Sequence, residues 1–416
     1  MTEKLKKMGI SLPEGFSVGY CRKVVNPVEG TGLSGWGNEN VRVSTEILDD
    51  ICVTCTALSD GEKVFLFYTC DVVGINNATG KIALERIEER YGITPEHIVL
   101  GATHTHTGPS VNSPKAPGIE EYRPRFYDAL DAITEQALRD LAPATATVGR
   151  SNTQSLNYVR RYLSKKDGSY LGNWPVPQDP DEACHETLPD TTLQVIRFAR
   201  EGKKDVLMVN WQCHPCSNNL AGEKRSQVSP DWVAPFRETV EEKLDVHFAY
   251  HQGACGNLVS STHIICEKNN VQYKRKGKEL YYYTKKALES SFPVSVGKFA
   301  SLRDEFVALR NPDWMQRMGA TADRETLYLN VLSIGDIAFA TAPLEWHDTC
   351  GRSVREGSPF RMTFVCGYSN GYQGYVPAAF CWENGGYEVK KTHFVRGTGE
   401  KIAQRHMQML TELYEK

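Results

Sequence analysis

Two histidines one residue apart, His104 and His106, stand in the segment Gly101-Ala102-Thr103-His104-Thr105-His106-Thr107-Gly108-Pro109, directly after an apolar run at 97–103. If that run is a strand, residues two apart share a face and both imidazoles point the same way. Small flanking residues and the closing Gly-Pro fit a strand end that delivers side chains to a cleft. The same pair would also suit two hydrogen-bonded structural histidines. A third histidine, His214, lies in Cys213-His214-Pro215-Cys216, after the apolar run 206–212. The Cys-x-x-Cys around it could be a redox pair or half of a zinc knuckle, but no second Cys-x-x-Cys completes a knuckle. The two cysteines read better as packing residues beside the histidine. A carboxylate, Glu345, closes the segment Pro343-Leu344-Glu345, where a strand at 337–341 ends and a helix is expected to begin. Gly367-Tyr368-Ser369-Asn370-Gly371-Tyr372-Gln373-Gly374-Tyr375-Val376-Pro377 follows another apolar run. A cluster of Gly, Asn and Tyr is poor core material and suggests backbone in close approach to a ligand, or else a tyrosine-rich surface loop.

The elements that would position these groups alternate between strands and helices, which predicts an α/β protein with mixed central sheets flanked by helices. Strands are expected at 63–68, 97–103, 192–198, 206–212 and 362–366, with a hairpin of 327–333 and 337–341 around Gly335-Asp336. A helix at 79–91 places Ala83, Leu84, Ile87 and Tyr91 on one face and stops at Gly92. Phe126, Leu130, Ile133, Ala137 and Leu141 mark another amphipathic helix. Ser229-Pro230 reads as an N-cap with proline at the first helical position, and a final helix is expected from Thr398. The Pro-, Gly- and Asp-rich stretch 164–190 is too long for a plain connector and is read as a lid or active-site loop.

The composition excludes several classes. A formal net charge of −3 on 416 residues, with no long run of one sign, gives no electrostatic footprint for nucleic acid. No apolar stretch approaches the roughly 18–20 residues of a membrane span, so stable membrane insertion is not expected. The start, Met1 to Met8, has basic residues but no apolar region behind them, which points to a cytoplasmic protein. The twelve cysteines are then expected as free thiols. Oligomeric state is left open, a homo-oligomer included.

Taken together and in order, these segments resemble the neutral ceramidase family. The likeness rests on Gly35-Trp36-Gly37, on Asp71-Val72-Val73-Gly74-Ile75, and on Ala102 to Pro109, which matches Ala-Thr-His-Thr-His-Ser-Gly-Pro except for Thr107. It continues through His214-Pro215, Pro343-Leu344-Glu345, Gly367 to Tyr375, and Tyr387-Glu388. The resemblance implies a zinc ion held by His104, His214, Glu345 and Tyr375. It also implies catalytic roles for His106, for Arg160 (Arg161 under a one-residue shift of alignment) and for Tyr387. Two imidazoles and a carboxylate are a catalytic zinc set that leaves room for water. Ligands spread from residue 104 to 375 imply one large catalytic domain, 1–416, and the family's immunoglobulin-like C-terminal domain is not expected here.

The family's Gly-Asp-Val-Ser-Pro motif aligns with Gly256-Asn257-Leu258-Val259-Ser260, so Val259 stands where the resemblance implies a serine that is either a nucleophile or a contact to the substrate's head group. Asn257, Val259 and Ser260 are thereby the expected substrate-binding positions. The expected reaction is zinc-dependent hydrolysis of an N-acyl amide, with a small-molecule or lipid-like amide as the partner. An ester, a lactone, a cyclic amide or ceramide itself are alternatives on the same metal site. A catalytically inactive binding protein is a more remote alternative.

Overall fold

The computed structural model describes residues 2–37, 41–173, 179, 181–217, 226–260 and 271–416. Its centre is a nine-stranded mixed sheet. The strands run in the order His247–Gln252, Val206–Trp211, Thr192–Arg200, Ala142–Asn152, Ser17–Val24, Cys52–Ser59, Val64–Cys70 and Ile98–Ala102, with Phe292–Val294 added beside Ala142–Asn152. A four-stranded sheet of Phe299–Leu309, Arg324–Ile334, Ile337–Ala342 and Met362–Gly367 lies against it. Phe65, Phe67, Ile196, Phe198 and Met208 of the larger sheet meet Leu332, Ile334, Phe339 and Phe364 of the smaller in one buried cluster. Helices cover the outer faces. Asn77–Tyr91 and Ile119–Arg139 bury Ile87, Tyr91, Phe126 and Ile133 against one half of the large sheet. Val233–Leu244 and Val271–Glu289 cover the other half. Asp348–Gly357 and Thr398–Tyr414 cover the small sheet. The result is four layers: helix, sheet, sheet, helix.

In these two sheets most neighbouring strands are antiparallel, but three pairs are parallel: Val64–Cys70 with Ile98–Ala102, Val206–Trp211 with His247–Gln252, and Ile337–Ala342 with Met362–Gly367. Each pair is joined by a crossover helix, as parallel pairing requires. His104 follows the end of Ile98–Ala102, His214 follows Val206–Trp211, Glu345 follows Ile337–Ala342 and Tyr375 follows Met362–Gly367. The carboxyl ends of parallel strands are where open α/β sheets place their ligands.

The expected α/β class with mixed sheets is the observed one. Asn76 caps the helix Asn77–Tyr91, its Oδ1 accepting from the Thr79 amide at 2.9 Å, and Gly92 ends it in the left-handed region. The hairpin closes at Gly335-Asp336 with Ile334 opposite Ile337. Three expectations give way. Ser229 does not cap a helix: its hydroxyl bonds to Asp49, the chain turns at Asp231 with φ 60°, and the helix begins only at Val233. Glu345 does not begin a helix. It pairs with Tyr375 across two short parallel strands, Glu345–Trp346 and Tyr375–Val376, and the helix starts at Asp348. The stretch 164–190 is not a plain loop. Within it Tyr170–Asn173 and Ala183–His185 flank Arg161–Ser164 in a small antiparallel sheet. Trp174 and Val176, expected on a lid, lie outside the described residues.

Candidate metal centre and its cleft

The strand before the histidine pair stops at Ala102, two residues short of His104. His104 itself has φ 69°, left-handed backbone that a non-glycine residue adopts only at a cost of about 1 kcal/mol or more. The two imidazoles therefore do not share a strand face, as alternation predicts; a tight turn brings them together. Thr105 between them and Thr107 just after them explain how it is held. Thr105 and Thr107 both donate their hydroxyls to the Ser229 carbonyl, at 2.6 and 2.9 Å. Threonines anchor one side and histidines converge on the other. Gly35 completes the packing: with φ 111° it passes so close that a Cβ there would lie 2.6 Å from the His106 Cβ. Trp36 next to it stands edge-on to the His106 ring, with centroids 5.3 Å apart.

Three imidazoles and a carboxylate meet at one point. The ring nitrogens of His104, His106 and His214 lie within 4.8 Å of one another, and all three rings are buried. Glu345 Oε2 is 3.2 Å from His214 Nε2 and 3.4 Å from His104 Nε2, while His106 Nε2 is 3.3 Å from His104 Nε2. Four donors bonded to zinc at its usual lengths stand roughly 3.3–3.4 Å apart at the corners of a tetrahedron. The second ring nitrogens are already committed. His104 Nδ1 bonds the Val73 carbonyl at 2.5 Å, and His214 Nδ1 bonds the carbonyls of Cys255 and Leu258 at 2.8 and 2.9 Å. A carbonyl only accepts, so the N–H of a neutral ring sits on Nδ1 and its lone pair on Nε2 faces the Glu345 oxygen. Lone pairs facing lone pairs at this range call for a cation between them. The site could hold a metal ion, and its donor set fits one.

The electrostatics are consistent. Burial first, and the Arg160 guanidinium second, lower the His214 pKa to about 4. Burial and then the adjoining His104 and His214 rings hold His106 well below the ordinary histidine value. Burial alone would raise the Glu345 carboxyl, but the flanking His104 and His214 outweigh it and keep it well below the usual carboxylate range. The centre thus presents His106 and His214 as neutral imidazoles and Glu345 as a carboxylate at neutral pH.

The Tyr372 hydroxyl donates to Glu345 Oε1 at 2.5 Å, leaving Oε2 to the histidines. Tyr368 stacks on the His104 ring at 4.1 Å, and its hydroxyl lies 3.1 Å from Cys255 Sγ. Tyr375 is buried beside His214, with centroids 6.5 Å apart. Burial pushes its phenol up, and Arg160 beside it pulls the other way. Arg160 lies over the rings of Tyr375 and Tyr387, at 5.2 and 5.5 Å. Its Nε donates to Glu388 at 2.7 Å and its Nη2 to the Gly256 carbonyl at 2.8 Å. Arg161 turns the other way, to Glu186, the Gly385 carbonyl and the far oxygen of Glu388. Of the two arginines, Arg160 is the one at the site.

The centre opens into a cleft of about 840 Å³, lined among others by Trp36, His104, His106, Arg160, Glu345, Tyr372, Tyr375 and Tyr387. That is within the size of small-molecule sites. The expected substrate positions Asn257, Val259 and Ser260 are not among its lining residues. Asn257 is committed to Asp348, exchanging hydrogen bonds of 2.8 and 2.9 Å with its carboxylate and amide. Val259 is buried in a two-residue strand beside Tyr158, and the Ser260 carbonyl takes a bond from Lys276. This segment supports His214, whose amide donates to the Leu258 carbonyl at 3.1 Å. Sequence reading named Tyr368 and Tyr372 only as part of a segment; the Tyr-x-x-x-Tyr spacing did not reveal that one stacks on a histidine and the other bonds the carboxylate. Lys391 and His393, also on the cleft, carried no signal.

Among solved structures, the chain superposes on a ceramidase complexed with C2 with a TM-score of 0.77 and 16% identity, over 97% of this chain and 76% of that one. The neutral ceramidase of Pseudomonas aeruginosa gives a TM-score of 0.76 and 16% identity, over 97% and 75%. The chain has the neutral ceramidase fold. No family model matches it, and no curated protein matches it by sequence. The resemblance drawn from scattered motifs is thus met at the level of fold. No helix among the described residues is long and apolar enough to cross a membrane.

Proposed function

We propose that the protein is a zinc-dependent amidohydrolase that cleaves an N-acyl amide with water, giving a carboxylate and an amine. The observation that carries this reading is the convergence of His104 Nε2, His214 Nε2 and Glu345 Oε2 at 3.2–3.4 Å with their other atoms already bonded away, at the base of an open cleft. In this reading His104, His214, Glu345 and Tyr375 hold the ion. Zinc bound there supplies Lewis acidity, acidifying water and polarising the scissile carbonyl. His106, neutral by burial, takes the proton of the attacking water at a ring nitrogen and returns it to the leaving amine. Arg160, fixed by Glu388, and the Tyr387 hydroxyl stabilise the oxyanion as it forms. Tyr372 fixes which oxygen of Glu345 faces the histidines.

The preferred substrate in this reading is a soluble or short-chain amide. The cleft is lined by Ser34, Asn76, Ser110 and Asn112 as well as by aromatics, and the aligned serine position, Val259, is buried away from it. The test compares kcat/KM for long-chain ceramide in detergent with short N-acyl amides, lactams and esters, using zinc-loaded and chelator-treated protein. The reading expects the short amides to win and activity to return with zinc. A preference for long-chain ceramide above about tenfold, roughly 1.4 kcal/mol of transition-state binding, would make it a ceramidase proper. Faster ester or lactone cleavage would reassign the reaction class.

A further inference from the structure

The cleft carries few charged side chains. Among the described residues that line it, Glu345 is the one carboxylate, and it faces the imidazoles. Two cations line it, Arg160 and Lys391. Arg160 is buried against Glu388, 2.7 Å from its Nε. Lys391, exposed at the end of the helix Tyr387–Lys391, forms no ion pair among the described residues; its Nζ lies 5.9 Å from the centre of the Tyr387 ring. Two residues on, His393 lines the same cleft, with its ring 4.5 Å from Trp314. Its Nδ1 is shut away from solvent with no hydrogen-bond partner. A buried N–H left unpaired is the rarer arrangement, so the ring proton belongs on Nε2, the nitrogen left to face the cleft.

An ammonium without an ion pair and an imidazole N–H on one cleft, whose other cation Arg160 is paired with Glu388, make a receptor for an anion. We propose that the cleft mouth binds a carboxylate of the substrate through the Lys391 ammonium and His393 Nε2–H, so that the favoured substrates are N-acyl amino acids or other amides carrying a carboxylate. This inference rests on the amidohydrolase reading. A rim lysine acts on encounter and on ground-state binding more than on the chemical step, so the selectivity appears chiefly in KM.

The test uses N-hexanoylglycine and N-hexanoylglycinamide, which differ in the charged end alone. Steady-state kinetics and calorimetric binding are measured for both on the wild type, Lys391→Met and Lys391→Arg. The expected result is a preference for the acid of about tenfold in kcat/KM, mostly in KM, as befits a charge-assisted contact. It should shrink with added salt, fall toward unity in Lys391→Met and persist in Lys391→Arg. Equal use of the two substrates by the wild type, or a preference unchanged in Lys391→Met, overturns the carboxylate site and leaves the amidohydrolase reading standing. Tighter, Lys391-dependent binding of the acid without hydrolysis of either compound keeps the site and removes the reaction. If neither compound is hydrolysed and the acid binds no better than the amide, both are overturned.

Discussion

Glu388 offers the sharpest quantitative test of how the arginine at the site is held. Its carboxylate is fully buried, 2.7 Å from Arg160 Nε and 3.0 Å from Arg161 Nη1, and Asn173 Nδ2 donates to both its oxygens at 2.9 Å. Burial by itself would raise its pKa; Arg160, then His347 and Arg161, outweigh that and bring it from 4.5 down to about 2. At 1.36 kcal/mol per unit, this depression is worth about 3 kcal/mol of stability at neutral pH. The folded pKa lies below the unfolded one, so the contribution is fully present above pH 4.5 and is lost as pH falls from 4.5 toward 2. At pH 3 it should have fallen to about 1 kcal/mol. Glu388→Gln keeps the shape and removes the charge. The expected loss at pH 7 is about 3 kcal/mol, the range for breaking a buried ion pair, with the gap between wild type and variant more than halved at pH 3. Urea unfolding of both proteins at the two pH values is the assay. A loss below about 1 kcal/mol at pH 7, or an equal loss at both pH values, would refute the claim that this carboxylate holds its charge against the arginines.

Three further outcomes are expected. His106→Ala should keep its bound metal and lose most of its activity, measured by elemental analysis beside a rate assay; loss of both together would make His106 a third histidine ligand, as its 3.3 Å approach to His104 permits. His251 is buried, its Nε2 has no hydrogen-bond partner, and burial lowers its pKa to about 4. The unfolded chain therefore takes up the proton first as pH falls below 6.5, and His251→Phe should remove about 2 kcal/mol of the stability the wild type loses between pH 7 and pH 5, read from unfolding curves at both pH values. Thiol titration of the denatured protein without reductant should find its cysteines free, as each described one is; several stable disulfides would contradict this.

Much of the architecture was legible because it rests on local rules. The runs at 192–198 and 206–212 became strands within a residue or two, and Gly92 stopped its helix through the left-handed conformation that glycine takes readily. The approximate place of the site was legible too, because histidines after apolar runs land at strand ends. The details that failed are tertiary. The turn at His104 depends on two threonines reaching Ser229, over a hundred residues away. Glu345 enters a strand because Tyr375 is there to pair with it. Ser229 reads as a helix cap until Asp49 claims its hydroxyl. The pattern Gly-Asn-Leu-Val-Ser aligns with a substrate contact, yet its backbone is taken up in supporting His214 and its side chains face elsewhere.

The central claim is that His104, His214, Glu345 and Tyr375 form a zinc site, and zinc content measures it most directly. Purified wild-type protein, dialysed against metal-free buffer and analysed by elemental mass spectrometry, should carry about one zinc per chain, as a buried set of several protein donors would retain it. His214→Ala, which removes a ring held by two backbone carbonyls and facing Glu345 at 3.2 Å, should carry little. Zinc content unchanged in that variant would contradict the account.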